Sequence, residues 1–501
     1  MAVIGVMLAG CGSSSQPAAP AAAASASPAT SPVEATLATL SRTQRVHQLL
    51  MPSIDSLNPG AARAVIRATR PGGLIIMAPG TARQWRRVVR AAQDEASKLG
   101  LPPLLIGADQ ENGTLVQRMR LPVTLPGAMV LGAAVAGDAE RGSGAAAELA
   151  EVTGNWLAAG GVNIDFAPVA DVNVRPSNPV IGIRSPGAFP DVVADAVVGQ
   201  VQGFDAAGTL STAKHFPGHG DTATDSHLGL AKVTHSRAKM NRIDLPPFEA
   251  AVKAGIPAIM VAHVTVPAFD SKPASVSKRI VTGLLRTRMG FDGLVVTDSL
   301  GMGAVAGRPH LAAEVVRAGG DVLLMPNDPN GAAAQVMAAV GNARVDDAVR
   351  HVLEAKQRLG LLDGEPSYPA PPSTKQTRSV ARSAAEAGIT VLGACKVLVS
   401  KGATVVGSGA VADGVRAGLR AAGVGSGPVR VAVGSGNPGA VDVWVATGSP
   451  YGALRASARQ RVLTYGDVGA SGWAAGQAIA GKLDALGGLP VRGPNACTRV
   501  K

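Results

Sequence analysis

Three histidines, one lysine and two aspartates fall within fourteen residues in the stretch 214–227, KHFPGHGDTATDSH. Pro217, Gly218 and Gly220 break any regular helix through its first half. Leu210-Ser211-Thr212-Ala213 precedes it as a short strand. The stretch therefore reads as a long polar loop leaving a strand, a common seat for reactive groups. His227 has Asp225 two residues before it. A neighbouring carboxylate fixes a histidine's tautomer and favours its charged form, which makes a competent general acid and base. Asp298 ends the apolar run Val295-Val296-Thr297. A carboxylate held at a strand end is a candidate nucleophile if it stays ionised. One rigid carboxylate and one mobile proton donor are what a retaining glycosidase needs, with histidine where a second carboxylic acid is usual. His215, His219, Asp221, Asp225 and His227 are also zinc-ligand types. Their His-x3-His spacing falls across Pro217 and Gly218, where the helix that would align two ligands cannot run, so no metal is expected.

Elements able to position these groups recur along the chain. Short apolar runs lie at 48–53, 73–77, 104–109, 162–168, 210–215, 258–264, 294–298 and 321–325. They are rich in Val, Ile and Leu and lack polar alternation, as parallel strands buried on both faces should. Amphipathic stretches lie between them. One spans 83–98 with Trp85, Val88, Val89 and Ala92 on one face, and 335–359 includes another. Eight strands alternating with helices over roughly 320 residues is the arithmetic of an α/β fold of the (β/α)8 barrel type. An open doubly wound sheet is the alternative, and eight consecutive units favour closure. A barrel builds its site at the C-terminal ends of its strands. Asp109, Asp165, Lys214, His215, His263 and Asp298 sit at those ends. Asp165 is expected to cap a turn, and His263 reads equally as a satisfied core histidine or a functional one.

The 501 residues suit two domains. The barrel is assigned to 40–365, the run PSYPAPPS lies in a Pro-rich linker at 366–375, and a smaller α/β sandwich occupies 376–501. Sandwich strands are expected near 396–400, 404–407, 429–434, 441–446 and 461–465. Gly407-Ser408-Gly409 lacks the third glycine and the ribose-binding acid of a dinucleotide loop. At the start, residues 1–11 read as an apolar lipoprotein signal ending in Leu-Ala-Gly-Cys, with Cys11 the lipidated residue. A disordered tether rich in Ser, Ala and Pro is assigned to 12–39. The apolar run is too short to span a bilayer. Cys395 and Cys497 are left either as a disulfide, if the chain is exported, or as two free thiols. The net charge of +12 reads as a solvated basic surface, because no Lys/Arg block and no nucleic-acid-binding signature accompany it.

The loop KHFPGHGDTATDSH resembles the signature of glycoside hydrolase family 3, in its β-N-acetylglucosaminidase (β-N-acetylhexosaminidase) branch. Further matches follow in order: IGADQENG at 106–113, VNIDFAPVADVN at 162–173, NPVIGIRS at 178–185, MVAHV at 260–264 and VVTDSLGM at 295–302. The resemblance covers about 40–362, and the C-terminal part resembles the family's sandwich domain more weakly. With the lipoprotein start, it suggests the exported form of actinobacteria, lipid-anchored to the outer face of the cell membrane. By position, Asp298 resembles the nucleophile and Asp225 with His227 the acid/base dyad. Asp109, Arg118, Arg184, Lys214 and His215 match positions that hold the N-acetylglucosamine hydroxyls. The chain departs from the family at Asn112-Gly113-Thr114-Leu115-Val116, which is one residue longer than the usual two glycines and Arg-Val.

The resemblance implies a retaining exo-β-N-acetylglucosaminidase acting on wall fragments, N-acetylglucosamine linked to N-acetylmuramic acid, or on chitin oligomers. It implies a monomer without metal or organic cofactor, touching the membrane only through its lipid and no nucleic acid. The rival readings are a β-glucosidase-like hydrolase or a glycoside phosphorylase on the same fold, and a lipoprotein that binds wall glycan without turnover.

Overall fold

The computed structural model describes residues 7, 9, 10, 12, 31–364, 366–436 and 438–500. Cys11, the expected lipid carrier, lies outside the described residues. Each apolar run of the first 325 residues contains a strand. These are β1 (Leu50–Met51 and Ser53–Ile54, split at Pro52), β2 (Gly73–Ile76), β3 (Leu105–Ala108), β4 (Ile164–Asp165), β5 (Leu210–Phe216), β6 (Ala258–Val261), β7 (Leu294–Thr297) and β8 (Leu323–Leu324). Ser53 apart, every one of their residues is buried, as strands covered on both faces require. They pair in parallel from β1 through β7 in chain order. β8 completes the ring: Leu323 and Leu324 pair with Leu50 and Met51 on one side, and Val322 bridges Val296 on the other. The sheet is therefore a closed barrel and not an open doubly wound one. Ile75, Leu105, Ile164, Leu210, Met260 and Val296 contribute to a single apolar cluster.

Helices cover the barrel. α1 is Pro32–Thr39, α2 is Ala82–Lys98, α3 is Ala139–Gly160 and α4 is Asn342–Arg358. On α2 the side chains of Trp85, Val88, Val89 and Ala92 are buried, and Thr81 closes a capping box with Gln84. α1 corrects an expectation, because residues 32–39 were assigned to the tether. Val33 and Leu37, four residues apart, form an apolar stripe that packs on α4 and orders the segment. No helix among the described residues is long and apolar enough to cross a membrane.

The second domain begins with α5 (Thr374–Gly388), capped by Ser373 and so starting inside the expected linker. Its strands are β9 (Thr390–Gly393), β10 (Ala403–Val406), β11 (Val429–Gly434), β12 (Val443–Ala446) and β13 (Gln460–Leu463). They form one sheet in the order β9-β13-β12-β11-β10, antiparallel only at β9. The strand expected at 396–400 is displaced to β9. Thr390, Val391 and Leu392 are all buried, whereas the later run ends in the short 3-10 turn Val399–Lys401 at Gly402, whose φ is +88°. Cys395 is disulfide-bonded to Cys497, with Cα atoms 5.6 Å apart. Barrel and second domain are joined by Trp156 Nε1 donating to Thr377 Oγ1 (3.0 Å), Gly488 N to the Ala133 carbonyl (2.8 Å) and Ala188 N to the Pro490 carbonyl (2.9 Å).

Candidate active site

A cavity of about 670 Å³ opens where β1 to β8 end, and Asp298, His227, Lys214, His215, Arg184 and Arg118 all line it. Asp109 lines it too. The long strand β5 delivers Lys214 and His215 side by side into the mouth. Lys214 is almost wholly buried, and its Nζ lies 3.1 Å from Asp109 Oδ1 and 2.7 Å from Glu111 Oε1. Glu111 also takes the guanidinium of Arg184 in a fork, Nε to Oε2 at 2.8 Å and Nη2 to Oε1 at 2.7 Å. Burial would raise the Glu111 pKa, but Arg184 and Lys214 hold it well below the usual carboxylate range. Burial likewise opposes the charge on Lys214, and Glu111 and Asp109 more than offset it, so its pKa is raised. The mouth is thus lined by ionised groups whose charges are mutually balanced.

Asp171 organises the segment that runs on from Lys214. It accepts from His215 Nδ1 at 2.6 Å and from the His219 backbone N–H at 2.7 Å. Burial pushes its pKa up, but His215 and His219 together outweigh this and hold the carboxyl below the ordinary range. Holding Nδ1 leaves His215 Nε2 to face Arg184 Nη2 at 3.4 Å. His219 spends both ring nitrogens within the loop, on Ser226 Oγ at 2.9 Å and Thr222 Oγ1 at 2.7 Å. Gly220 lets the loop pass against the barrel, since a Cβ there would sit 1.8 Å from the Val172 carbonyl oxygen. The loop carrying Arg184 is pinned by Asn178, whose Oδ1 accepts from Val180 and Ile181 N–H and whose Nδ2 donates to the His219 carbonyl.

Asp298 follows β7, is partly open to the cavity and accepts from the Ser299 N–H at 2.8 Å. Burial raises its pKa, yet His215 first among its neighbours and the Ser299 N–H hold it below the ordinary range. His263 is fully buried. Its Nδ1 meets Ser275 Oγ at 2.7 Å, and its Nε2 lies 3.2 and 3.1 Å from the Asp298 and Ser299 carbonyls. It fixes the backbone beneath Asp298 and does not line the cavity. Asp165 was expected to cap the turn after its strand; instead its Oδ1 accepts the N–H of Gln110, 55 residues earlier, at 2.9 Å, and so ties the segment after β3 to β4, while burial pushes its pKa up.

His227 is the exposed member of the site. Its side chain is 62 % exposed, and its Nδ1 lies 2.7 Å from Asp225 Oδ1, which also accepts the His227 N–H at 2.8 Å. Burial of Asp225 is outweighed by these bonds, so its carboxyl is held below the ordinary range. The dyad is tied to the segment beyond Asp298: Gly303 N donates to the His227 carbonyl and Ala304 N to that of Ser226, at 3.1 and 3.3 Å.

Two charged groups escaped the sequence reading. Glu111 and Asp171 lie inside motifs that were recognised, and neither was singled out. Glu111 had one usable signal: it stands two residues after Asp109, on the same side of an extended segment. The longer segment after it is absorbed by Asn112 and Gly113, both with φ above +60°, and by the exposed Leu115. Arg118 still reaches the cavity, where its Nε is buried with no hydrogen-bond partner among the described residues.

Comparison with known proteins places this arrangement. The glycosyl hydrolase family 3 N-terminal domain matches residues 42–355. The chain is 41% identical over 253 residues to the β-hexosaminidase A of Pseudoalteromonas piscicida, covering 47% of this chain and 41% of that protein. The match thus spans about two fifths of that relative's length. It is 36% identical over 271 residues to the β-hexosaminidase of Alkalilimnicola ehrlichii, covering 53% of this chain and 77% of that protein. A family 3 β-N-acetylglucosaminidase from Paenibacillus sp. str. FPU-7 superposes with a TM-score of 0.76 at 30% identity, over 90% of this chain and 99% of that one. A β-glucoside phosphorylase superposes with a TM-score of 0.81 at 20% identity, over 92% and 96%, a likeness of fold alone. The barrel match takes in β1 to β8 and every expected catalytic and sugar-binding residue, so the chain belongs to glycosyl hydrolase family 3.

Proposed function

We propose that the protein is a retaining exo-β-N-acetylglucosaminidase that releases terminal β-linked N-acetylglucosamine from wall fragments or chitin oligomers. The observation that carries this reading is the single cavity shared by the ionised Asp298 and the exposed His227, with a charged clamp beside them. Asp298 attacks the anomeric carbon, its carboxylate oxygen forming the new bond as the glycosidic bond breaks. His227 donates its proton to the departing oxygen, and Asp225 stabilises the charge on the ring. A covalent glycosyl-enzyme results. Neutral His227 then takes a proton from water, which displaces Asp298 and restores the sugar with its original configuration. Asp109, Lys214, Arg184, His215 and Arg118 hold the sugar hydroxyls, and the buried Nε–H of Arg118, without a partner among the described residues, is suited to donate to one of them. The names of the relatives and of the Paenibacillus structure support the N-acetylhexosamine specificity. Export and lipid anchoring at Cys11 belong to the same proposal. The Cys395–Cys497 disulfide supports an oxidising location, and metabolic labelling with a fatty acid, lost in Cys11→Ala, tests the anchor.

The decisive experiment is turnover of chromogenic β-glycosides by a soluble chain lacking residues 1–32, beside Asp298→Ala. Cleavage of the N-acetylglucosaminide with retained anomeric configuration, and none by the variant, is the expected result. Preference for a glucoside would remove the N-acetyl specificity. Formation of glycosyl phosphate on adding phosphate would make the protein a phosphorylase. Binding of wall glycan without any turnover would leave a binding lipoprotein.

A further inference from the structure

The cationic side of the barrel offers a site apart from the cavity described above. Arg83, Arg86, Arg87 and Arg90 fall within eight residues of α2. Spacings of three and four set them along one side of the helix, away from buried Trp85, Val88 and Val89, where like charges repel one another. Arg86 is held by the Ala159 and Pro369 carbonyls at 2.6 and 2.9 Å, and Arg90 stacks 4.9 Å over the Tyr368 ring. Arg83 and Arg87 are exposed and have no ion pair among the described residues. Arg120, equally exposed and unpaired, is brought beside them because its backbone N–H donates to Gly80, in the turn before α2, at 2.7 Å.

These charges border a groove. A cavity of about 670 Å³ is walled by Leu121, Pro122, Trp156 and Pro371, and Arg83, Arg86 and Arg120 line it too, beside Thr81 and Ala82 at the start of α2. The Trp156 indole N–H is already spent on Thr377, so toward the groove the residue offers only apolar ring surface. An apolar aromatic wall flanked by unpaired guanidinium groups matches a sugar ring that carries carboxylates: the ring packs on the indole, and the carboxylate takes a fork of N–H donors. A neutral glycan would leave the arginines unused, and a flat lipid surface would not enter a concave groove.

We propose that this groove binds a carboxylate-bearing glycan chain, separately from the catalytic cavity. The proposal does not depend on the reaction assigned to the barrel. It is tested by fluorescence titration of the Asp298→Ala chain, from residue 33 onward, with soluble oligosaccharides of alternating N-acetylglucosamine and N-acetylmuramic acid. Chito-oligosaccharides of equal length are the neutral control. The expected result is salt-sensitive binding of the acidic oligomer that falls at least tenfold in R83E/R120E, with binding of the neutral oligomer unchanged. In the otherwise wild-type chain, R83E/R120E should keep its melting temperature and its turnover of a small chromogenic substrate, and Trp156→Phe should lose the fluorescence response. Equal binding of the acidic oligomer by R83E/R120E would overturn the proposal, as would an equal loss for both oligomers. So would arginine-dependent binding of phosphatidylglycerol vesicles without any binding of glycan. If the catalytic reading alone is wrong, the chromogenic assay is silent while the acidic-glycan titration still responds.

Discussion

Replacing Glu111 with glutamine keeps the shape of the clamp and removes the charge at its centre. Glu111 is the shared anion of two buried cations, with Arg184 in a two-bond fork and Lys214 at 2.7 Å. Breaking a buried ion pair by removing one partner costs about 3–5 kcal/mol, because the remaining charge is left uncompensated. Two contacts soften the loss here: Lys214 keeps Asp109 at 3.1 Å, and Arg184 keeps the Val180 carbonyl at 3.1 Å. We therefore place the cost at the lower end, about 3 kcal/mol. The amide also turns an N–H toward one of the cations, so Lys214 and Arg184 move apart. A displacement of about 1 Å in a positioning group lowers turnover about 100-fold. Urea unfolding and kcat/KM on the chromogenic N-acetylglucosaminide, each from pH 7 down to pH 3, measure both effects. The Glu111 pKa is depressed in the folded chain, so its stabilisation is fully present above the unfolded value of about 4.3 and fades as pH falls below it. The gap between wild type and Glu111→Gln should hold from pH 7 to about 5 and narrow in acid. A variant within about 1 kcal/mol of wild type, with unchanged kcat/KM, would show that the clamp neither stabilises nor positions.

His227→Ala should lose about 10²–10⁴-fold on a substrate with a poor leaving group and far less on a nitrophenyl glycoside, which needs no proton. Equal losses on both would remove the acid role. Gly220→Ala forces a Cβ to within 1.8 Å of the Val172 carbonyl oxygen, so it should cost about 1–3 kcal/mol or more and displace the loop that carries the dyad. Wild-type melting and turnover in that variant would contradict the packing argument. Lys356 is wholly buried, its Nζ donating, among the described residues, only to Gln48 Oε1 at 2.7 Å, and burial pushes its pKa down to about 7. The unfolded chain binds that proton up to about pH 10.4, so this residue makes stability rise with pH between 7 and 10. The stability advantage of Lys356→Met over wild type should shrink across that window, and a constant difference in urea midpoint would refute it.

The barrel was legible because its information is local. Each strand is a short run without a polar face, and a residue such as Ile164 or Val296 declares its burial by its neighbours alone. Closure followed from the count of units, and the bridge between Val296 and Val322 completes it. The second domain was less legible at its first strand, where two adjacent apolar runs compete. Val397-Leu398-Val399 looks as strand-like as Thr390-Val391-Leu392, and what decides between them is the pairing of Thr390–Gly393 with Gln460–Leu463, some seventy residues away. Helix α1 was lost for a related reason: Val33 and Leu37 are too few to announce a helix until α4 covers them, three hundred residues later.

The site divides in the same way. Asp298 was visible as a carboxylate ending an apolar strand, and Asp225 with His227 as a pair two residues apart, because both signals lie within a few residues of sequence. Glu111 and Asp171 take their meaning from partners far along the chain. Glu111 reaches Arg184 across 73 positions, and Asp171 reaches His215 across 44. The spacing of Asp109 and Glu111 in DQEN places both on one side of an extended segment, but neither DQEN nor VADV names the cation or histidine that its acid holds. The same limit applies to the arginines of α2. Their spacing along the helix is readable, but a basic face is usually only a solvated face. The wall that makes a groove of it comes from Trp156 on α3, Leu121 before it and Pro371 in the linker, so the structure supplies what the charge pattern lacks: a shape that a ligand could fill.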